Sequence, residues 1–459
     1  MKRVSDRPQA RRSIFAGLLL ILLGLVFLLN RFDPTLGIGH MIRFYWPVLI
    51  VVWGVAKLID HLGARSAGQL RPALLSGREA ALMVLFAFVL AAFVFRDWLR
   101  DHYPDADFEL PPFHESFSQS RQLAPQSIPN GAHVLVETAR GNISVHVGDS
   151  NQLRVSINES ASAPAESAAD ERMKQVDVLI EQKGGSYSVH PVRQYDSQGT
   201  ISVDLDLEVP KTVSISAHTN HGDISVSAVT GSVDAHSDRG DVEIHDVGSD
   251  VTADLKKGDA RISGISGNVE IAGRGSDIEV EDVAGNANVE GVFLGTTRVG
   301  KVGKTLHCKS PWADLTIERM NGRLDVDSGQ IELSDAAGPV KIVTHDKDIN
   351  VENVTGRLEI SDSHGDIKVG YTSPPREEIN IANETGTIEV MLPSRSSFQI
   401  SAVSRSGEVE SDFEGPALKP ANEEDTGKLN GQFGGRSGAP GPKITISTSY
   451  GTIQLRKSA

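Results

Sequence analysis

GDISVSAVTGSVDAH (Gly222–His236), GDVEIHDVGSDVTAD (Gly240–Asp254) and GDARISGISGNVEIA (Gly258–Ala272) restate one pattern every 18 residues. SDIEVEDVAGNANVE, beginning at Ser276, keeps the step, and the pattern resumes at Asp314, Gln330, Asp348 and Asp366. Five apolar positions recur, for example Ile224, Val226, Val229, Val233 and Ala235. Within each half-unit the spacing is that of a strand, with one side chain inward and the next outward. So short a unit cannot bury its own apolar face and must stack on copies of itself. The expected fold is therefore mainly β, a parallel β-solenoid of about 18 residues per coil over residues 214–372. Eight coils at ~4.8 Å each would make a rod of roughly 40 Å. Corner glycines (Gly222, Gly240, Gly258, Gly365) mark where positive φ or close chain approach is needed.

Strand alternation also flanks the repeats. Residues 132–213 and 373–459 are expected to be β caps that close the open strand edges of the solenoid. Ser160–Gln175 reads as a loop or a short helix, and the Gly/Pro-rich insertion 416–442 as a flexible loop. Residues 101–131, with Pro104, Pro111, Pro112, Pro125 and Pro129, read as a tether.

Ahead of the tether, residues 1–100 hold three apolar stretches, Ile14–Leu29, Tyr45–Ile59 and Ala80–Phe95. Runs such as IFAGLLLILLGLVFLLN have no polar face, and aromatic residues flank them. Three transmembrane helices are expected, at about 14–30, 45–60 and 80–96. Lys2, Arg3, Arg7, Arg11 and Arg12 precede the first, and Lys57, Arg65, Arg71 and Arg78 lie around the second loop. The positive-inside rule then puts the N-terminus in the cytoplasm and everything after Phe95 outside. The expected location is a bacterial inner membrane, crossed several times, with an extracytoplasmic C-terminal domain.

Charge is uneven. Residues 1–100 carry 13 Lys+Arg against 5 Asp+Glu, leaving 32 against 55 for the rest, or +8 against −23. A body so acidic argues against nucleic acid as a partner, since phosphate binding needs a basic surface. The single cysteine, Cys308, excludes a disulfide framework and any multi-cysteine zinc site; two residues after Leu306, it falls at an inward position.

The GD-I/V-x-V…G-x-V-x-A units, the leading GNISVHVGD and the tail MLPSRSSFQISAVSRSGEVESD…ITISTSYGTIQL resemble the bacterial putative-adhesin family, a β-strand-repeat domain of unknown function. The resemblance covers about residues 130–457. GLLLILLGLVFLLN followed by WPVLIVVWGVAKLI is similar to the two-helix membrane module of LiaI/LiaF-like cell-envelope stress proteins, over about 14–59. Together they imply a membrane-tethered β-solenoid in the cell envelope. The family carries no established catalytic residues to transfer.

Asp223, Asp241, Asp259 and Asp277, followed by Asp314, Asp348 and Asp366, form a column of carboxylates. A calcium ladder would use such oxygens, but one acid per coil is too few for a full shell. Placement after a corner Gly fits turn capping better. His218, His236 and Asp254, also 18 apart, have zinc-ligand chemistry, yet ordinary outward residues would look the same and Ala272 interrupts the column. The stretch Phe293–Asp314 breaks the repeat and gathers Arg298, Lys301, Lys304, Lys309 and Trp312 in an otherwise acidic body, making it the candidate binding patch. No nucleophile elbow, P-loop, HExxH or dinucleotide fingerprint occurs, and residues 214–372 contain only Phe293, Trp312 and Tyr371 as aromatics. No enzyme, cofactor or resident metal is expected. The expected function is a non-catalytic binding, adhesion or scaffold module on a membrane anchor, its envelope polymer or protein partner unknown. The alternative is a regulatory part in envelope-stress signalling.

Overall fold

The computed structural model describes residues 115–163, 166–192, 201–423, 425–434 and 441–458. The three expected spans lie outside those residues. Among the described residues no helix is long and apolar enough to cross a membrane. The chain divides into two compact units, Met1–Phe117 with Ser162–Glu171 and Ser118–Ala161 with Arg172–Ala459. The second holds the repeats.

Alternation in the sequence becomes two parallel ladders facing one core. In Val242–Val247, Val242 and Ile244 are buried and Glu243 between them is exposed. Stacking at equal register puts Val145, Val226, Ile244, Ile262, Val280 and Val299 in one inward column of the front ladder. The back ladder lines up Val134, Ile215, Val233, Val251, Val269, Ala287 and Leu306. None of these thirteen side chains is more than 1 % exposed. Near-continuous burial on one face, with parallel pairing throughout, is what the repeat demanded.

The third apolar position of each unit has its own cause. Val226 and Val229 are three apart, which a plain strand would place on opposite faces. Ala228, Asp246, Asp282 and Lys301 occupy the left-handed region, with φ between 49 and 62°, at successive coils. Gly264 takes the same position with φ 70°. This one-residue bulge re-aims the next side chain, so Val229, Val247, Ile265, Val283 and Val302 are all buried. At the other corner Gly240, at φ 141°, packs so closely on the Gly222 carbonyl that any Cβ would clash with it.

The break in the repeat lies later than the sequence suggested. Thr297–Val302 and Leu306–Lys309 remain in parallel register with the preceding coil, shifted only from an 18- to a 19-residue step. The chain then folds back: Ala313–Val326 pairs antiparallel with Leu306–Lys309 and Thr297–Val302 behind it. It pairs antiparallel with Gln330–Ser334 and Ala336–Thr344 ahead. One coil is thus traversed in reverse between two hairpins, after which parallel stacking resumes with Asp348–Glu352 and Leu358–His364. Asp314 sits on this reversed strand opposite Lys309, so it leaves the carboxylate column.

The flanking strands are not separate caps. His133–Thr138 and Ile143–Val147 extend the two ladders in parallel, and Lys443–Tyr450 and Ile453–Ser458 do so at the other end. Toward both ends antiparallel strands add to the stacks, Gln152–Ala163 and Asp177–Lys183 early and Thr426–Phe433 late. The insertion expected to be flexible is largely a hairpin, Leu418–Glu423 against Thr426–Phe433. Leu418 and Leu429 are buried on it, and Phe433 packs at 4.8 and 5.6 Å from Phe413 and Phe398. Alternating apolar residues in KLNGQF outweigh the local glycines. Within the expected tether, Gln126–Ser127 pairs with Gln152–Leu153, and Ile128 is buried. Ser160–Gln175 is divided between the end of a strand and the helix Glu166–Met173.

Candidate functional site

The carboxylate column is a hydrogen-bond ladder that climbs the corner of the stack. The Asp241 amide donates to Asp223 Oδ1 at 2.8 Å, Asp259 to Asp241 at 2.9 Å and Asp277 to Asp259 at 3.1 Å. Thr296 caps it, donating to Asp277 at 2.7 Å, and Asn142 and Asp204 extend it below. The second half repeats the device with Asp348, Asp366 and Thr387. Each acid serves the next coil's amide and not its own turn, so the ladder staples coil to coil. One oxygen of each carboxylate is committed to backbone.

A second ladder, missed in the sequence reading, climbs the opposite corner. The Asn268 amide donates to Asp250 Oδ1 at 2.7 Å, and Asn286 donates to Asn268 Oδ1 at 2.9 Å. The Asn268 and Asn286 side-chain amides bond to the same oxygens, at 2.9 and 3.0 Å. Its signal was present, since Asp250, Asn268 and Asn286 are 18 apart.

His218, His236 and Asp254 do stack, on the outward side of the back ladder, with Glu137 one coil earlier. Their atoms meet pairwise: His236 Nδ1 is 3.2 Å from Asp254, and His236 Nε2 3.2 Å from Asp238. Lys256 in turn pairs with Asp238 at 2.6 Å and is the main reason its carboxyl lies below the usual range. The His218 and His236 rings meet edge to face at 5.8 Å. Among the described residues no three His, Cys, Asp or Glu side chains converge as a metal ion would need.

The candidate patch is divided and largely neutralised. Arg298 and Lys301 belong to the front ladder, whereas Lys309 belongs to the back ladder. Arg298 pairs with Asp325 at 3.1 Å, Lys301 with Asp282 at 3.1 Å, and Lys309 with Glu290 at 3.7 Å. The two acids beside Lys301 hold its pKa above the usual lysine value. Lys304 is exposed in the turn that leads into Leu306–Lys309. What stays apolar and open is the corner itself, with Leu294 76 % and Trp312 50 % exposed. Leu294 was not singled out from the sequence because a lone leucine in a glycine turn carries no pattern.

Cys308 takes the inward position opposite Val289, and burial pushes its thiol up to about 12. It is a packed apolar residue and no nucleophile.

Where strands meet the corner, inward hydroxyls satisfy glycine carbonyls. Thr219 donates to Gly141, Ser237 to Gly222 and Ser404 to Gly451, at 3.1, 3.2 and 2.7 Å. Asn383 fills the equivalent place by donating to Gly365 at 2.8 Å. Its register partner Asp362 is the exception. That side chain is 4 % exposed, neither oxygen has a good hydrogen-bond partner, and burial pushes its carboxyl up to about 6. An ionised carboxylate cannot donate there. The protonated acid can.

The fold and these ladders define a repeat-built β protein whose order lies in stacking and not in a pocket. The chain belongs to the Toastrack DUF4097 family, whose profile matches residues 132–293 and 266–456. Residues 14–58 match the LiaI-LiaF-like transmembrane region. Among solved structures, a putative cell adhesion protein from Clostridium sporogenes ATCC 15579 is 9 % identical, with 75 % of this chain and 100 % of that one covered at a TM-score of 0.17. A putative adhesin from Bacteroides fragilis NCTC 9343 is 12 % identical, covering 74 % and 97 % at 0.20. A putative lipid binding protein from Parabacteroides distasonis ATCC 8503 is 10 % identical, covering 74 % and 96 % at 0.16. No curated protein matches the chain.

Proposed function

We propose that this protein is a membrane-anchored, non-catalytic module of the cell envelope that binds or scaffolds through its stacked β domain. The observation that carries the reading is the filled interior: columns such as Val226–Ile244–Ile262–Val280 occupy the space between the ladders. Catalysis needs a recess where groups of shifted pKa converge. A groove of about 470 Å³ near the late end is lined by Gln399, Ser401, Gln432 and Lys443 among others, without an acid–base pair. The buried groups with raised pKa, Cys308, Asp362 and Tyr371, are each enclosed by packing and not gathered in a recess. Long regular faces of small and charged side chains suit an extended partner, a polymer or another protein. Nucleic acid is no partner for a body of charge −23.

The match of residues 14–58 to a transmembrane region supports the anchor. The bilayer is its first partner, three spans cross an inner membrane, and the β domain stands outside the cytoplasm. The test is the purified full-length protein in detergent micelles, presented to envelope polysaccharides and envelope protein extracts. Capture that weakens with salt, without turnover, is expected. Glycan cleavage abolished by one point substitution would overturn the reading.

A second reading is a regulatory component of envelope-stress signalling that contacts a membrane sensor through its head. It is favoured by the LiaI-LiaF-like match. Replacing residues 14–58 with unrelated apolar helices separates the two. Binding by the β domain survives under the first reading, and a stress response is lost under the second.

A further inference from the structure

The strand Asp177–Lys183, DVLIEQK, is the outermost layer of the back ladder and pairs, among the described residues, on one side only, antiparallel with Ser186–Val192. Lys183 and Ser186 flank the two-residue turn Gly184–Gly185, which makes them a hydrogen-bonded pair. Antiparallel pairs alternate, so Val178, Ile180 and Gln182 exchange no bonds with their opposite residues. Pro191, which has no N–H, stands opposite Val178 as that alternation requires. The N–H and C=O groups of Val178, Ile180 and Gln182 therefore point out of the sheet edge.

The only guards of this edge are the charges of Asp177, Glu181 and Lys183. It is seven residues long, without proline or glycine, and its outward Leu179 is 41 % exposed. At the late end of the stack, by contrast, Leu418–Glu423 carries Pro420 and Val409–Ser411 is only three residues long. A seven-residue, partly apolar edge invites another strand.

The strand's charges indicate which one. Laid antiparallel against itself about Ile180, the sequence sets Asp177 opposite Lys183 on both sides of the axis. The same alignment makes Ile180–Ile180 and both Val178–Gln182 pairs the hydrogen-bonded ones, using every outward group once Asp177 Oδ1 releases the Val178 N–H that it accepts at 3.0 Å. Moving the axis to Leu179 would set Asp177 against Glu181, a like-charge pair. Asp177 can still reach Lys183: its side chain is 66 % exposed, and Arg121 Nη1 and the Val178 N–H, at 3.1 and 3.0 Å, both bond to Oδ1. We infer that two copies of this chain pair through Asp177–Lys183, antiparallel about a two-fold axis at Ile180. The interface is isologous, as closed dimers require. Anchorage in one bilayer, as residues 14–58 allow, would raise the local concentration of copies.

The test is oxidative crosslinking of the full chain in its membranes. The only native cysteine, Cys308, is buried and gives no background. A hydrogen-bonded antiparallel pair has Cα atoms about 5.5 Å apart, within disulfide reach. Ile180→Cys should yield a covalent dimer of twice the chain mass. Co-expressed Leu179→Cys and Glu181→Cys chains, which leave Ile180 in place, should yield the mixed dimer. Adding Lys183→Asp should cut crosslinking severalfold, and Asp177→Lys together with Lys183→Asp should restore it. No dimer from either cysteine arrangement, crosslinking indifferent to the charge reversals, or a product with a different protein would each overturn the proposal.

Discussion

Asp362 is where the stacking rule and the side chain conflict. Burial raises its carboxyl to about 6, so the folded state holds the proton more tightly than the unfolded chain. Its contribution to stability is complete below the usual carboxylate value of about 4 and is lost as pH rises through about 6. Asp362→Asn supplies the donor that Asn383 uses one coil on. It should stabilise the full-length protein at pH 7.5 by about 1–2 kcal/mol and do little at pH 4. Thermal unfolding in micelles at both values checks this; equal effects would disprove it. On the carboxylate ladder, Asp241→Asn keeps the acceptor for the Asp259 amide and should be nearly silent, whereas Asp241→Ala should cost about 1 kcal/mol. If the acids mattered through charge, for example by holding calcium, both variants would act alike and calcium would raise the melting temperature.

At the scale of the strand, register was readable because a repeat of fixed length reports it directly. Val226, Ile244, Ile262 and Val280 share a column because they are 18 apart, with no knowledge of the fold needed. Ile262→Asp should therefore neutralise or unfold its coil at a cost of several kcal/mol, while Glu243→Lys, on the exposed face, should be tolerated. Proteolysis of the two variants in native buffer distinguishes them, and equal sensitivity would mean the register is wrong. Other elements were hidden for physical reasons. The reversed strand Ala313–Val326 has the alternation of any strand, and alternation does not encode direction. The hairpin Leu418–Phe433 was concealed by Gly and Pro around it, although Leu418 and Leu429 are buried and Phe433 packs on Phe413 and Phe398, 20 and 35 residues earlier. The basic residues of the junction were easy to see as a cluster, but a cluster in sequence is split when Arg298 and Lys309 fall on different ladders. Their carboxylate partners lie from 19 to 27 residues away, beyond any local pattern.

For the whole molecule, the proposed function requires an apolar head that anchors the acidic stacked domain outside the cytoplasm. Basic residues before the first expected span and around the expected second loop predict that orientation. Met1–Arg12 is then internal and Asn30–Phe44 external, and a phosphatase reporter fused at Ser120 should be active only when exported. The most direct test uses the chain intact. Tyr450 lies on the stacked domain with 65 % of its surface exposed, and Cys308 is buried. A Tyr450→Cys variant in spheroplasts should react with a membrane-impermeant maleimide to the same extent before and after lysis, while the parent chain stays unlabelled. Labelling that begins only when the membrane is broken would put the domain in the cytoplasm and contradict the account.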